Sequence, residues 1–478
     1  MFYLPELNVI APELCLLLMS CVVLLADLFL PKNYRQLTYL LAQLALLMTA
    51  ALVISTDLHV IQVAFDGQII VDPLSVLLKF FILLTGFFVF LYSNHYISDR
   101  DMAYGDFYVL GLFSIIGMMV LVSGYSFLTI YLGLELLSLP LYAMVALQRN
   151  MLTRTEAAMK YFVMGALASG MLLYGMSLLY GVSGSLIISD VFAVLQSDGE
   201  SQQLLVAMAL VFLIVGFAFK LGAAPFHMWV PDVYQGAPTA TTLMISSAPK
   251  LAAFAMMMRL MTDAMAPLMI DWQQLVTALA LLSLVIGNVI AIAQTNIKRL
   301  FAYSAIAHIG FMLLGVLSGS GDGYGAALFY MITYVITAVA GFAMIILMSQ
   351  KGYEAETIQD FKGLNARNPW YAFLMLIVLF SMAGVPPTVG FFAKLAVLES
   401  IIAADFLWLA LIAVLFSVVG AYYYLRIVKV IYFDAPDDPS AIQAPLDFRV
   451  ALSINSLSVL ALGLLPNFLL VVCRAVFV

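Results

Sequence analysis

Long apolar stretches, each of the roughly 20 residues that a helix needs to cross the hydrocarbon of a bilayer, recur from residue 9 to residue 472 with only short polar gaps between them. The pattern predicts fourteen spans, at about 9–30, 37–56, 73–92, 107–123, 125–147, 157–180, 203–231, 238–262, 273–295, 300–318, 324–349, 369–403, 406–433 and 450–472. No soluble domain fits between them. Glu6 and Glu13, but no basic residue, accompany the start of the first run, and no small-residue cleavage site follows it, so a retained span is expected there and not a signal peptide.

Three spans carry residues that a continuous helix resists: Gly222 to Pro225 in the seventh, Pro249 in the eighth, and Gly384 to Pro387 in the twelfth. Irregular backbone survives at membrane depth only where protein buries it or a wet cavity meets it. Interrupted spans in two halves of a chain point to inverted repeats around a transport site. Lys220 precedes Asp232 by twelve residues and Lys394 precedes Asp405 by eleven, while Ala157-Ala158-Met159-Lys160-Tyr161 echoes Ala326-Ala327-Leu328-Phe329-Tyr330. These matches predict two inverted five-helix repeats, spans 4–8 and 9–13. The expected organisation is a three-helix segment (1–106), a first repeat (107–262), a second repeat (263–433), and a loop with the last span (434–478).

Composition agrees with an all-α polytopic membrane protein: 64% of 478 residues are hydrophobic and 10% charged, with a mean hydropathy of +1.08, whereas soluble domains carry about a quarter charged residues. The net charge of -7 is spread over loops and says nothing of partners; nucleic acid is not expected among them. Cys15, Cys21 and Cys473 lie in apolar runs without CxxC spacing, so no disulfide framework or thiolate metal site is expected.

The placement of Lys and Arg tests the span count. Of 20 such residues, Lys79, Lys160, Lys220, Lys250 and Lys394 fall inside spans, while Arg259, Arg426 and Lys429 stand near span ends and go with the adjoining loops. Loops after odd-numbered spans hold thirteen of the others: Lys32, Arg35, Arg100, Arg149, Arg154, Lys298, Arg299, Lys351, Lys362, Arg367, Arg426, Lys429 and Arg449. The opposite side holds Arg259 and Arg474. Cytoplasmic loops collect positive charge, so the odd loops are expected in the cytoplasm and both termini in the periplasm.

A charge at bilayer centre costs roughly 2.5–3.5 kcal/mol, so four together would cost on the order of 10–14 kcal/mol. Glu135, Lys220, Lys250 and Lys394 are placed deep enough to meet that cost, and a proton relay is the expected reason. Burial disfavours an ammonium and a nearby carboxylate favours it, so moving or neutralising Glu135 would switch Lys220 between holding and releasing a proton. A static ion pair between the two is the competing account, and it leaves the other lysines unexplained. Lys160 could join the relay or form a surface pair with Glu156, four residues before it, and Lys79 is expected to snorkel outward. His227 and His308 could pass protons between lysines or be hydrogen-bonded interior residues; Tyr424, Ser138 and Thr333 could anchor water or join helices.

The chain has no GxxxxGK[ST] loop, no GxGxxG after a strand, and no residue pattern for iron–sulfur or haem ligation. Its energy is expected from an ion gradient or from a partner.

Two segments carry a resemblance: Gly133-Leu134-Glu135-Leu136-Leu137-Ser138-Leu139-Pro140-Leu141-Tyr142, and the run from Lys220-Leu221-Gly222-Ala223-Ala224-Pro225-Phe226-His227 through Pro238-Thr239. With them the whole chain resembles the subunit N family of bacterial NADH–quinone oxidoreductase, respiratory complex I, and more distantly the Mrp-type antiporters. By that resemblance Glu135, Lys220, Lys250 and Lys394 match the family's charged positions in helices five, seven, eight and twelve, Lys160 matches a lysine of helix six, and His308 matches a polar position of helix ten. Lys at 394 and the lack of a long carboxy-terminal extension fit subunit N better than subunits M or L. The resemblance implies fourteen helices in two inverted repeats and a proton-translocating role. It places NAD, FMN, iron–sulfur clusters and quinone in partner subunits, with neighbours in the membrane arm that residues 435–449, including Asp437, Asp438 and Pro439, could meet. A free-standing sodium/proton antiporter and a non-transporting scaffold are the other readings.

Overall fold

The predicted spans are helices in the computed structural model, which describes residues 4–31, 34–56, 61–100, 102, 104–148, 150–198, 202–438, 440 and 442–477. Lys32 and Arg149 of the loop reading, and Pro439, lie outside the described residues. Among the described residues, thirteen helical stretches are long and apolar enough to cross a bilayer. The remaining predicted span, 369–403, is two 15-residue helices, Pro369–Ala383 and Val389–Ala403. The seventh span stops at Leu221 and resumes at Trp229–Gly236. In the eighth, Thr239–Ser246 and Ala248–Met258 meet at Ser247, with φ −116° and ψ −102°, just ahead of Pro249, and one π-helical turn follows at Arg259–Ala264. The third is longer than predicted, Pro73–Asp99.

The chain packs as two units, residues 1–90 with 101–221 and 248–273, and residues 91–100 with 222–247 and 274–478. In the first, the Tyr104–Ser123 and Phe127–Val145 helices lie backbone to backbone. A Cβ at Gly117 would fall 2.2 Å from the Leu137 nitrogen, so only glycine permits the approach that fixes the helix carrying Glu135 and Ser138. The loops after the second, fourth, sixth and eighth spans gather at one end of this unit. An unpredicted hairpin there pairs Gln62–Ala64 with Ile69–Val71 in antiparallel register, Val63 opposite Ile70, and Gly124, Ser126 and Ile187 extend the pairing. Arg259 closes the same end on Asp72 (2.7 Å) and Asp263 (3.1 Å).

In the second unit the loops after odd-numbered spans gather instead. Arg100 pairs with Glu354 at 3.2 Å, Lys362 with Asp437 at 2.6 Å, and Arg367 donates to the Ser440 carbonyl at 3.1 Å. Asn296 caps the Ile297–Leu317 helix and pairs with Thr357. That helix is the unit's core, wholly buried over its most apolar 18 residues. Outer helices do the reverse: Leu411, Leu415 and Val418 of Leu407–Phe433 are exposed, a liability in water and a match for lipid tails. The parity read from Lys and Arg is thus seen in both units, odd loops meeting odd and even meeting even.

Candidate functional site

In the first unit, Lys220 occupies the last turn of Gln203–Leu221, immediately before the break. Its Nζ donates to Ser138 Oγ at 2.5 Å, and Ser138 in turn donates to the Leu134 carbonyl at 2.5 Å. The Tyr142 ring centre lies 5.7 Å from the same ammonium. Glu135 stands on that helix one turn before Ser138. The contact made by Lys220 is thus with a hydroxyl, and Glu135 stands a turn away along the same helix as that hydroxyl. Lys250 is buried in the first turn of Ala248–Met258, a helix packed against the one that carries Lys220. Lys160 forms a surface pair with Glu156, 3.0 Å apart and well exposed.

Lys79 corrects the sequence reading. It is buried to 2% exposure with its Nζ 2.5 Å from Glu13 on the Ala11–Phe29 helix, so it points into the unit and does not snorkel. The nearby Asp72 is paired with Arg259.

In the second unit the twelfth-span break supplies the site. Pro369–Ala383 starts under an Asn368 cap and ends at Gly384 (φ +84°), where the Val385 N–H returns to the Phe380 carbonyl at 2.9 Å. Left-handed backbone of this kind suits glycine. Lys394, from Val389–Ala403, reaches back to the Ala383 carbonyl (2.8 Å) and to Ser417 Oγ (2.9 Å), with Phe311 beneath it, ring centre 5.0 Å away. His308 lies on the buried central helix between two tyrosines, Nδ1 to the Tyr330 hydroxyl at 2.7 Å and Nε2 to the Tyr424 hydroxyl at 3.2 Å, and Tyr424 meets Ser304. A cavity with about 10 Å³ open to a water's centre adjoins His308, Tyr330, Thr333, Tyr334, Thr337 and Ser381, and extends to Ala393 beside Lys394. That volume is of the order one water needs. His227 sits apart from this chain of hydroxyls, against the Tyr303 ring with centroids 6.4 Å apart.

The structure thus brings Ser138, Tyr424 and Thr333 to the lysines and His308, and adds Tyr330, Tyr334, Ser304, Thr337, Ser381 and Ser417, which sequence did not single out. The two breaks share a glycine at positive φ, Gly222 (+80°) and Gly384 (+84°), each followed three residues later by proline. Lys220 precedes its break and Lys394 follows its own, so the break residues give a closer internal match than the Lys-to-Asp spacing.

Buried lysines held on neutral oxygens beside broken helices, in a mainly helical polytopic chain, define an antiporter-like membrane subunit. The family described as NADH:quinone oxidoreductase/Mrp antiporter, TM, matches residues 124–420. An NADH-quinone oxidoreductase subunit N of Thioalkalivibrio sulfidiphilus is 55% identical over 98% of both chains. A chain in respiratory complex I from Thermus thermophilus with bound aureothin superposes with a TM-score of 0.82 at 33% identity, over 96% of this chain and 98% of that one. A chain of the Mrp complex from Dietzia sp. shares the fold, with a TM-score of 0.85 at 20% identity over 98% and 97%. The chain belongs to the NADH-quinone oxidoreductase subunit N family.

Proposed function

We propose that this chain is a proton-translocating subunit of an NADH:quinone oxidoreductase. It resides in the bacterial inner membrane beside related antiporter-like subunits, odd loops in the cytoplasm and both termini in the periplasm. NAD, FMN, iron–sulfur clusters and quinone belong to partner subunits, and this chain performs no redox chemistry. The two repeats, 107–262 and 263–433, each supply one broken helix with its lysine.

One observation carries the reading. Lys220 and Lys394 rest on neutral acceptors, Ser138 for the first and the Ala383 carbonyl and Ser417 for the second. An ammonium held this way can give up its proton without leaving a buried carboxylate unpaired, a penalty that locks a direct pair such as Lys79 with Glu13. Glu135 biases Lys220 from one turn away, Lys250 is buried on a helix packed against that of Lys220, and His308 with its tyrosines supplies hydrogen bonds along which a proton can pass. Lys160, on the surface, and His227, against the Tyr303 ring, have lesser roles.

The test is NADH-driven proton uptake in membranes carrying Lys220→Ala or Glu135→Ala. Uptake should fall strongly while the complex stays whole on a native gel, and normal uptake in an intact complex would sink the relay. The Mrp fold match favours one alternative, a free-standing antiporter. Sodium-dependent proton flux by the purified chain in liposomes, with no redox subunits co-purifying, would support that reading instead.

A further inference from the structure

Lys298 counts among the loop lysines in sequence, yet its side chain is 3% exposed. It lies in the first turn of the buried Ile297–Leu317 helix, and its Nζ donates at 3.1 Å to the carbonyl of Ala237, the residue that ends the Trp229–Gly236 helix beyond the seventh-span break. Lys394 is held in the same manner, on the terminal carbonyl of a half-helix. Such carbonyls lie at the negative end of the helix dipole and suit a cation.

Glu356 stands 3.8 Å from Lys298 Nζ with its carboxylate 47% exposed. Its backbone is fixed, since the Ile297 N–H donates to the Glu356 carbonyl at 2.7 Å and Ile358 N–H to Thr295 at 3.0 Å. The carboxylate therefore stands at solvent over a buried lysine. Other charged groups stand on the surrounding elements. Arg299 pairs with Asp232 (2.8 Å), and Glu354 accepts from Arg100 and Tyr96. Asp360 accepts from the Tyr353 hydroxyl (2.6 Å) and the Thr357 N–H (2.7 Å), Arg426 donates to the Ile292 carbonyl (3.1 Å), and Lys351 is exposed.

We propose that Glu356 and Lys298 form a proton-loading site at the odd-loop end of the second unit. A proton from bulk water adds to the Glu356 carboxylate; it then moves to Lys298 when the amine is neutral, restoring the carboxylate and forming the ammonium that Ala237 holds. One side-chain rotation or one bridging water closes the 3.8 Å gap. Lys298 precedes His308 by ten residues on one helix, about 15 Å at 1.5 Å per residue, so the site lies on the loop side of the His308 hydrogen bonds. This inference rests on the proton-translocating reading above and adds the place where that unit takes protons up.

The test is NADH-driven proton uptake in assembled complexes. Lys298→Arg keeps the charge and a donor for Ala237, but a guanidinium does not release its proton. Uptake should fall about a hundredfold or more in Lys298→Arg and Lys298→Met alike, the scale of a lost proton-transfer group. Wild-type uptake in Lys298→Arg would reduce Lys298 to a helix anchor and overturn the proposal. Glu356→Gln, at the surface and compatible with folding, should slow uptake progressively as pH rises and protons grow scarce, with near-normal rates at mildly acidic pH. A slowing that does not vary with pH overturns the loading role even if the lysine variants fail to assemble. Lys394→Met separates the two levels of argument: if it too pumps normally, the proton-translocating reading has failed, whereas normal Lys298→Arg beside a blocked Lys394→Met removes the loading site alone.

Discussion

The Lys394 ammonium sits 2.8 Å from the carbonyl oxygen of Ala383, the last residue of the helix that breaks at Gly384. The final carbonyls of a helix have no partner within it, so the break creates an acceptor at membrane depth and the lysine occupies it. Gly384 makes this possible twice over, by its φ of +84° and by leaving room: a Cβ there would stand 2.9 Å from Lys394 Cδ and 3.1 Å from Nζ. Gly384→Ala should cost about 1–2 kcal/mol in backbone strain and push the ammonium off its carbonyl. The expected result is a lower melting temperature of the purified complex together with slower proton uptake. Wild-type values for both would show that the lysine does not depend on the break.

Ser138 is poised by its own hydrogen bond. By donating to the Leu134 carbonyl it turns a lone pair toward Lys220. Ser138→Ala removes the acceptor and leaves a buried ammonium short of one bond, worth about 1–3 kcal/mol, while Ser138→Thr retains the hydroxyl. Proton uptake should fall in the alanine variant and recover largely in the threonine variant, with assembly equal in both on a native gel. Equal uptake in all three proteins would remove Ser138 from the site.

Much of this was legible in the sequence because the bilayer fixes it. Apolar length set by membrane thickness revealed the spans, Gly384 with Pro387 revealed the twelfth-span break, and the parity of loop charges anticipated Arg100 meeting Glu354 and Lys362 meeting Asp437. What stayed hidden depends on tertiary contact. Nothing in the run around Lys79 announces Glu13 on another helix, and Lys298, close to a span end, looks like a solvated loop charge until its helix is seen to be buried. The chain has 24 tyrosines, and only the packed structure shows that Tyr330 and Tyr424 are the ones facing His308. The strands of the hairpin, three residues each, are too short to leave a pattern.

Lys79 and Glu13 should behave as a structural pair. Removing one partner strands a buried charge, at about 3–5 kcal/mol, whereas replacing both by apolar residues of similar size is often neutral. Lys79→Met should therefore lower the melting temperature and the amount of assembled complex, and the double variant Lys79→Met with Glu13→Leu should restore both. Proton uptake per assembled complex should match wild type in the double variant. A double variant that folds but fails to pump would move this pair into the relay.

Asp72 provides a pH-dependent contribution outside the membrane spans. Burial raises its carboxyl, but the Arg259 guanidinium at 2.7 Å and the Ser75 N–H and hydroxyl more than offset that, leaving it below the ordinary 3.8. A carboxyl depressed in the folded state contributes stability above its unfolded value, and that contribution is lost as pH falls through the folded one. Asp72→Asn lacks the pair at every pH. The gap in melting temperature between wild type and this variant should be full at neutral pH, begin to narrow as pH drops past about 3.8, and close below the depressed value. Melting curves of the detergent-purified complex across that range measure it directly. A gap of constant size into strong acid would mean that the Asp72 contribution comes from shape and the Ser75 cap, and not from the charge on Arg259.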